Sequence, residues 1–160
     1  MKKSKGHASR QAGFTLIELL VVIAIIGLLA TIVLVSLNTA RQKARDVRRV
    51  GDLRQVALAL EMYYDDHSAY PAVIGCTTAN WATMGTTYIE ADGYMTKVPV
   101  DPTGGATYYY AYGGTGSDYT LKATLENNVQ TGPLGSDVDG TTIAGAGACT
   151  CNDPIYCIQP

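Results

Sequence analysis

Apolar residues run from Phe14 to Leu37 with only Thr15, Glu18, Gly27, Thr31 and Ser36 between them. A run of that length is enough to cross a bilayer, which takes about 20 apolar residues. Beyond it the pattern changes to a helical seam, with Val50, Leu53, Ala57, Leu60 and Tyr64 recurring at steps of three and four. No proline occurs between Met1 and Tyr70, so nothing forces a break between the two stretches. The pattern predicts one helix from Phe14 to about Asp66, reaching roughly 80 Å at a rise of 1.5 Å per residue. Gly27 and Gly51 are its expected weak points, and a kink in the apolar half has to begin at Gly27.

After Tyr70 glycine, threonine and tyrosine replace charged and aliphatic residues, which marks a separate head. Ala69-Tyr70-Pro71 closes the helix, and two segments with strand character follow, Ala106 to Tyr112 and Asp118 to Glu126. In the second, Tyr119, Leu121, Ala123 and Leu125 alternate with Thr120, Lys122, Thr124 and Glu126, the period of a half-buried strand. Gly113-Gly114-Thr115-Gly116-Ser117 between them suits a hairpin loop. On the first strand Tyr108, Tyr110 and Tyr112 point one way and Tyr109 the other.

Charge sharpens the picture at the start of the apolar run. Residues 1–12 are polar and cationic, with Lys2, Lys3, Lys5 and Arg10 and no acid. Glu18 is a carboxylate just inside the run, a placement that costs about 2.5–3.5 kcal/mol at the centre of a lipid-facing helix and therefore points to a partner. The run is too long for the core of a secretory signal, and no small-x-small cleavage site follows it. Arg10 has no adjacent arginine for a twin-arginine signal, and no cysteine sits where a lipoprotein is cut.

A basic leader, Gly13, and then Phe14-Thr15-Leu16-Ile17-Glu18 opening an apolar helix resembles the class III signal of type IV pilins and type II secretion pseudopilins. The resemblance implies cleavage by a prepilin peptidase between Gly13 and Phe14, N-methylation of Phe14, and assembly through Phe14 and Glu18 into a homo-oligomeric helical filament. It also implies an assembly platform and an ATPase as partners, and passage from the cytoplasmic membrane to a surface filament. Gly93-Tyr94-Met95, Val98-Pro99-Val100-Asp101-Pro102 and Tyr119-Thr120-Leu121 are similar in order to pilin and major pseudopilin heads. That similarity implies an α+β pilin fold, a long helix packed against a small antiparallel sheet. The expected organisation is a leader over 1–13, a helix over 14–66 with 14–37 in the membrane, and a head over 67–160. Phe14 and Glu18 are one turn apart, so Glu18 of one subunit is placed to neutralise the amino terminus of a neighbour.

Other features refine the function. Arg41, Lys43, Arg45, Arg48, Arg49 and Arg54 follow the apolar run, relieved by Asp46 and Asp52. A solvated face with internal ion pairs, such as Asp52 with Arg48 and Arg49, or contacts with neighbouring subunits, is the favoured reading. Nucleic acid is a less favoured partner because no aromatic residues interleave with the charge. Cys76, Cys149, Cys151 and Cys157 all lie beyond the span, and their even number fits two disulfides in an oxidising compartment. Cys149 and Cys151 are too close to bridge each other easily, so each is expected to pair with Cys76 or Cys157. This tail favours a type IV pilin over the alternative, a major pseudopilin of a secretion system; a plain membrane-anchored binding protein is the rival from another class.

Asp137 and Asp139 in Gly135-Ser136-Asp137-Val138-Asp139-Gly140 are candidate calcium ligands, since major pseudopilins carry calcium in the loop after their strands; an ordinary polar turn is the favoured alternative. No other cofactor is expected. No nucleophile motif, P-loop or dinucleotide fingerprint is present, and the Asp65-Asp66-His67 cluster reads as a helix terminus, so no enzyme is expected.

Overall fold

The structure is a computed structural model and describes residues 14–104, 107–127, 140–141, 149–152 and 154–160. Contacts divide the chain between Thr39 and Ala40 into two compact units, and one helix, α1 (Leu16–His67), contributes to both. It continues through Gly27 and Gly51 without interruption. It stops at His67, where Ser68 turns into the left-handed region (φ 55°) and donates its N–H to the Tyr64 carbonyl at 2.7 Å.

In the first unit every described residue is exposed. In the second, α1 buries Asp46, Arg49, Val50, Leu53, Val56, Ala59, Leu60 and Tyr63. The seam expected from sequence is therefore right at Val50, Leu53 and Leu60 and displaced elsewhere. Ala57 lies at the margin of the core, and Tyr64 is exposed and stacks on Tyr70 with ring centroids 4.6 Å apart. A strict alternation of three and four drifts around a 3.6-residue helix, and the head covers a wider stripe than two positions per heptad.

The head begins with a helix that the sequence pattern did not reveal, α2 (Thr78–Thr83), continued by a π-helical turn over Met84–Ile89. Thr77 caps α2, its Oγ1 accepting the Asn80 N–H at 3.1 Å. Gly85 lies against Val98, where a Cβ would come within 2.9 Å of a Val98 methyl. The main sheet is antiparallel, in the order β1 (Tyr110–Gly114), β2 (Tyr119–Thr124), β5 (Ile155–Ile158); β3 (Gly140–Thr141) pairs separately with β4 (Thr150–Cys151). Thr77 bridges to Tyr112 on the outer edge of β1.

The hairpin starts later than its glycines suggest. Gly113 and Gly114 are strand residues facing Thr120 and Tyr119, and the turn is closed by the Thr115 N–H donating to Asp118 at 3.0 Å. A side chain at Gly114 would run into the Tyr112 hydroxyl and the Pro71 carbonyl, so glycine serves close packing there.

Tyr110, Tyr112, Leu121, Ala123 and Tyr156 share the face that packs on Leu53, Val56 and Leu60. Buried tyrosines need partners for their hydroxyls, and on the sheet Tyr110 donates to Asp52 at 2.8 Å, Tyr112 to the Pro71 carbonyl at 2.7 Å and Tyr119 to Glu61 at 3.1 Å. The opposite face, expected to be open to solvent, is buried at Ala111, Thr120 and Lys122. Cys157 pairs with Lys122 across the strands on that face, and its disulfide to Cys151 anchors the tail there.

Candidate functional site

Thr15 and Glu18 form a reciprocal cap at the start of α1. The Thr15 N–H donates to Glu18 Oε2 at 2.8 Å, the Thr15 hydroxyl donates to the same oxygen at 2.6 Å, and the Glu18 N–H donates to Thr15 Oγ1 at 3.3 Å. Threonine followed three residues later by glutamate is the capping-box arrangement, which satisfies helix donors that have no partner within the helix. Phe14 precedes this cap and is exposed. Leu16 to Val35 carry apolar side chains exposed on every side, a surface that calls for lipid or other subunits. Gly13, the other half of the expected cleavage site, lies outside the described residues, as do Asp137 and Asp139.

The second site is an ionic clasp around Arg49. The sequence placed this arginine on a solvated face; its side chain is instead fully buried. Its Nη1 donates to Asp46 Oδ1 and to Glu126 Oε1, both at 2.8 Å, and its Nε and Nη2 form a fork on Asp101 at 2.6 and 3.1 Å. Arg45 adds a fork on Glu126 from the exposed side. Asp46 also accepts the backbone N–H groups of Glu126 and Asn127 at 2.9 and 3.0 Å. Asp52, the partner expected for both Arg48 and Arg49, pairs with Arg48 alone at 3.7 Å. The reason is geometric: Arg49 faces the sheet, where two carboxylates from the head converge on it.

Burial pushes the Asp101 carboxyl up, but hydrogen bonds from Arg49 and Thr103 more than reverse this and hold it below the ordinary range. Glu126 is lowered mainly by its hydrogen bond from Arg45, against burial and with help from Arg49. The only local signal for this clasp was the i, i+3 spacing of Asp46 and Arg49. Nothing in the chain's periodicity pointed to Asp101 or Glu126, which lie 52 and 77 residues from Arg49.

The four cysteines form Cys76–Cys149 and Cys151–Cys157, fixing the pairing that the sequence left open. The first ties the segment before α2 to the tail, and the second ties the tail to β5. His67 stacks on Tyr63 with centroids 4.0 Å apart at the end of α1, and among the described residues no cluster of three or more potential metal ligands occurs.

Two family models match the chain. One, for the prokaryotic N-terminal methylation motif, covers residues 8–34, and the other, for type II secretion system protein G, covers residues 36–139. The type II secretion system core protein G of Pseudomonas aeruginosa is 37% identical over 114 residues, which is 67% of this chain and 78% of that protein. The chain belongs to the type II secretion system protein G family. The core protein G of Vibrio cholerae is 35% identical over 129 residues, 77% of this chain and 85% of that protein, and that of Escherichia coli is 34% identical over 102 residues, 59% and 68%. No solved structure matches.

Membership of the protein G family makes the chain a membrane-anchored, pilus-like structural subunit rather than an enzyme. The match also divides the molecule. The methylation-motif model spans Gly13, Phe14 and Glu18, and the protein G model spans Arg49, Asp101, Glu126 and the hairpin. Cys149, Cys151, Cys157 and β5 lie beyond both matches.

Proposed function

We propose that the chain is a major pseudopilin, the repeating subunit of the short filament in a type II secretion system. The observation that carries this is the coincidence, in one chain, of the methylation motif over 8–34 and the protein G match over 36–139. The surface-pilus reading rested on the cysteine-bearing tail, and that tail lies outside the residues that identify the family. A prepilin peptidase cleaves between Gly13 and Phe14, and Phe14 then carries a cationic amine, methylated as in the family. The apolar helix leaves the membrane for a core of like helices, driven by the assembly platform and ATPase of the secretion machinery. In that core Glu18 neutralises the amine of a neighbour and so sets axial register, because an unpaired charge away from water is strongly disfavoured. Asp137 and Asp139, between β2 and β5 in the sequence, are proposed ligands for calcium.

Deleting the gene and restoring it on a plasmid tests the reading. The expected result is that secretion of the exported enzymes stops and returns with the intact gene but not with a Gly13→Asp uncleavable form. Unchanged secretion together with loss of surface fibres would transfer the subunit to a pilus.

A further inference from the structure

The second half of α1 sorts its charges. Four of its five acids are taken by donors from the head: Asp46 by the Glu126 and Asn127 backbone, Asp52 by Tyr110, Glu61 by Tyr70 and Tyr119, and Asp66 by Tyr94; the fifth, Asp65, is exposed near the far end of the helix. Arg45 and Arg49 are taken by head carboxylates. Arg41, Lys43 and Arg54 are exposed and enter no ion pair among the described residues, and Arg48 keeps only a 3.7 Å contact with an Asp52 already engaged by Tyr110. What remains on the surface of the helix from Arg41 to Arg54 is therefore a set of cations whose nearest counter-charges, Asp46 and Asp52, are engaged by the head.

Three of these cations come soon after the apolar run. Leu37 ends it, and Arg41, Lys43 and Arg48 follow at four, six and eleven residues. Arg41 and Arg48 are two helical turns apart and share one side of α1. Long cationic side chains just outside a bilayer meet phosphates, and an arginine fork matches phosphate oxygens.

We propose that Arg41, Lys43 and Arg48 dock on the phosphates of anionic phospholipids at the non-cytoplasmic face of the membrane. They hold the unassembled subunit there until the filament takes it up. The inference rests on the membrane-anchored reading of residues 14–37.

The test uses the full chain, wild type and with Arg41→Gln, Lys43→Gln and Arg48→Gln combined, each in nanodiscs of equimolar phosphatidylglycerol and phosphatidylcholine. Native mass spectrometry then counts the lipids that stay bound when the disc is stripped. Leader cations are the same in both proteins, so the difference between them reads the three side chains. The triple variant is expected to lose phosphatidylglycerol enrichment by up to about a hundredfold, at about fivefold for each of the three cations near an anionic surface. Arg54→Gln, further along the helix, is expected to keep wild-type enrichment. Equal enrichment in wild type and triple variant overturns the proposal, and so does a triple variant that keeps its lipids but fails to form filaments, which assigns the strip to a neighbouring subunit. Failure of the wild type to enter nanodiscs at all would instead remove the membrane reading itself. Unchanged near-ultraviolet circular dichroism of the triple variant verifies that its head is folded.

Discussion

Asp101 reaches Arg49 across 52 residues of chain and grips it with both oxygens, Oδ2 accepting from Nε at 2.6 Å and Oδ1 from Nη2 at 3.1 Å. With Asp46 and Glu126 on the same guanidinium, this fork ties together α1, the loop before β1 and the end of β2. Removing the arginine leaves Asp46 and Asp101 without a cation and Glu126 with Arg45 alone. Arg49→Met is expected to destabilise the head by about 3–5 kcal/mol, the range for breaking a buried ion pair from one side. Arg49→Lys is expected to recover only part of this, because an ammonium cannot form the fork. Urea unfolding of the three proteins in detergent, followed by Trp81 fluorescence, measures both; an Arg49→Met head as stable as wild type contradicts the structural role.

The same clasp gives the stability an acid limit. The folded pKa of Asp101 and of Glu126 lies below the ordinary values of 3.8 and 4.5. In acid the unfolded chain therefore binds protons before the folded one does, so the contribution of these groups is complete above about pH 5 and is lost as pH falls through and below the ordinary carboxylate range. Tyr70 sets a limit at the other end. Burial, with a hydrogen bond to Glu61, pushes it up to about 12, so its contribution is present below the ordinary value of 10.0 and is lost as pH rises toward 12. Thermal melts across pH are expected to show a plateau between these limits, with the acid shoulder flattened in Asp101→Asn. A shoulder of unaltered depth in that variant would place the acid sensitivity elsewhere.

How much of this was readable beforehand follows from the range over which each feature acts. The processing end, the long helix and the hairpin are encoded within a few residues of one another: Gly13 to Glu18, an apolar run without proline, and alternation from Tyr119 to Leu125. Features that depend on distant partners were not readable. Arg49 looked like one surface cation among six because Asp101 and Glu126 become its partners only when the sheet packs on α1. Lys122 looked solvent-facing because the alternation of β2 says nothing of a tail bonded over its outer face through Cys157. The turns of α2 and of the π-helical segment after it were hidden by threonines and by Gly85, residues of low helix propensity, and are held by the Thr77 cap and by Trp81, whose indole N–H donates to the Pro99 carbonyl at 3.0 Å.

The two disulfides are expected to differ in weight. Cys76–Cys149 spans 73 residues and Cys151–Cys157 spans six. In the loop-closure account they contribute about 4 and about 2 kcal/mol. Melting of the Cys76→Ser/Cys149→Ser and Cys151→Ser/Cys157→Ser pairs compares them directly. A larger loss from the short loop would mean that holding β5 against β2 matters more than restraining the unfolded chain.

Calcium is tested through Asp137 and Asp139. If Asp137 and Asp139 hold the ion, calcium is expected to raise the melting temperature of the wild type and not that of Asp137→Ala/Asp139→Ala, while magnesium, which demands a tighter octahedron, has a smaller effect. A wild-type melting temperature indifferent to calcium leaves these residues as a polar turn.

Glu18 has two duties that a single substitution to alanine would confuse. As a cap it needs only an oxygen acceptor for Thr15, and glutamine supplies one in the same arrangement. As the partner of a neighbour's amino terminus it needs its charge. Glu18→Gln therefore keeps the start of α1 while removing the charge, and Thr15→Ala weakens the cap while leaving the charge in place. If register in the filament is electrostatic, Glu18→Gln is expected to be cleaved and inserted normally yet to assemble at least tenfold less filament, about 1.4 kcal/mol or more per subunit contact. Thr15→Ala is then expected to assemble near wild-type levels. Quantifying sheared filaments and processed subunit from the same cells separates the two roles. Normal assembly by Glu18→Gln alongside failure of Thr15→Ala would reduce Glu18 to a helix cap.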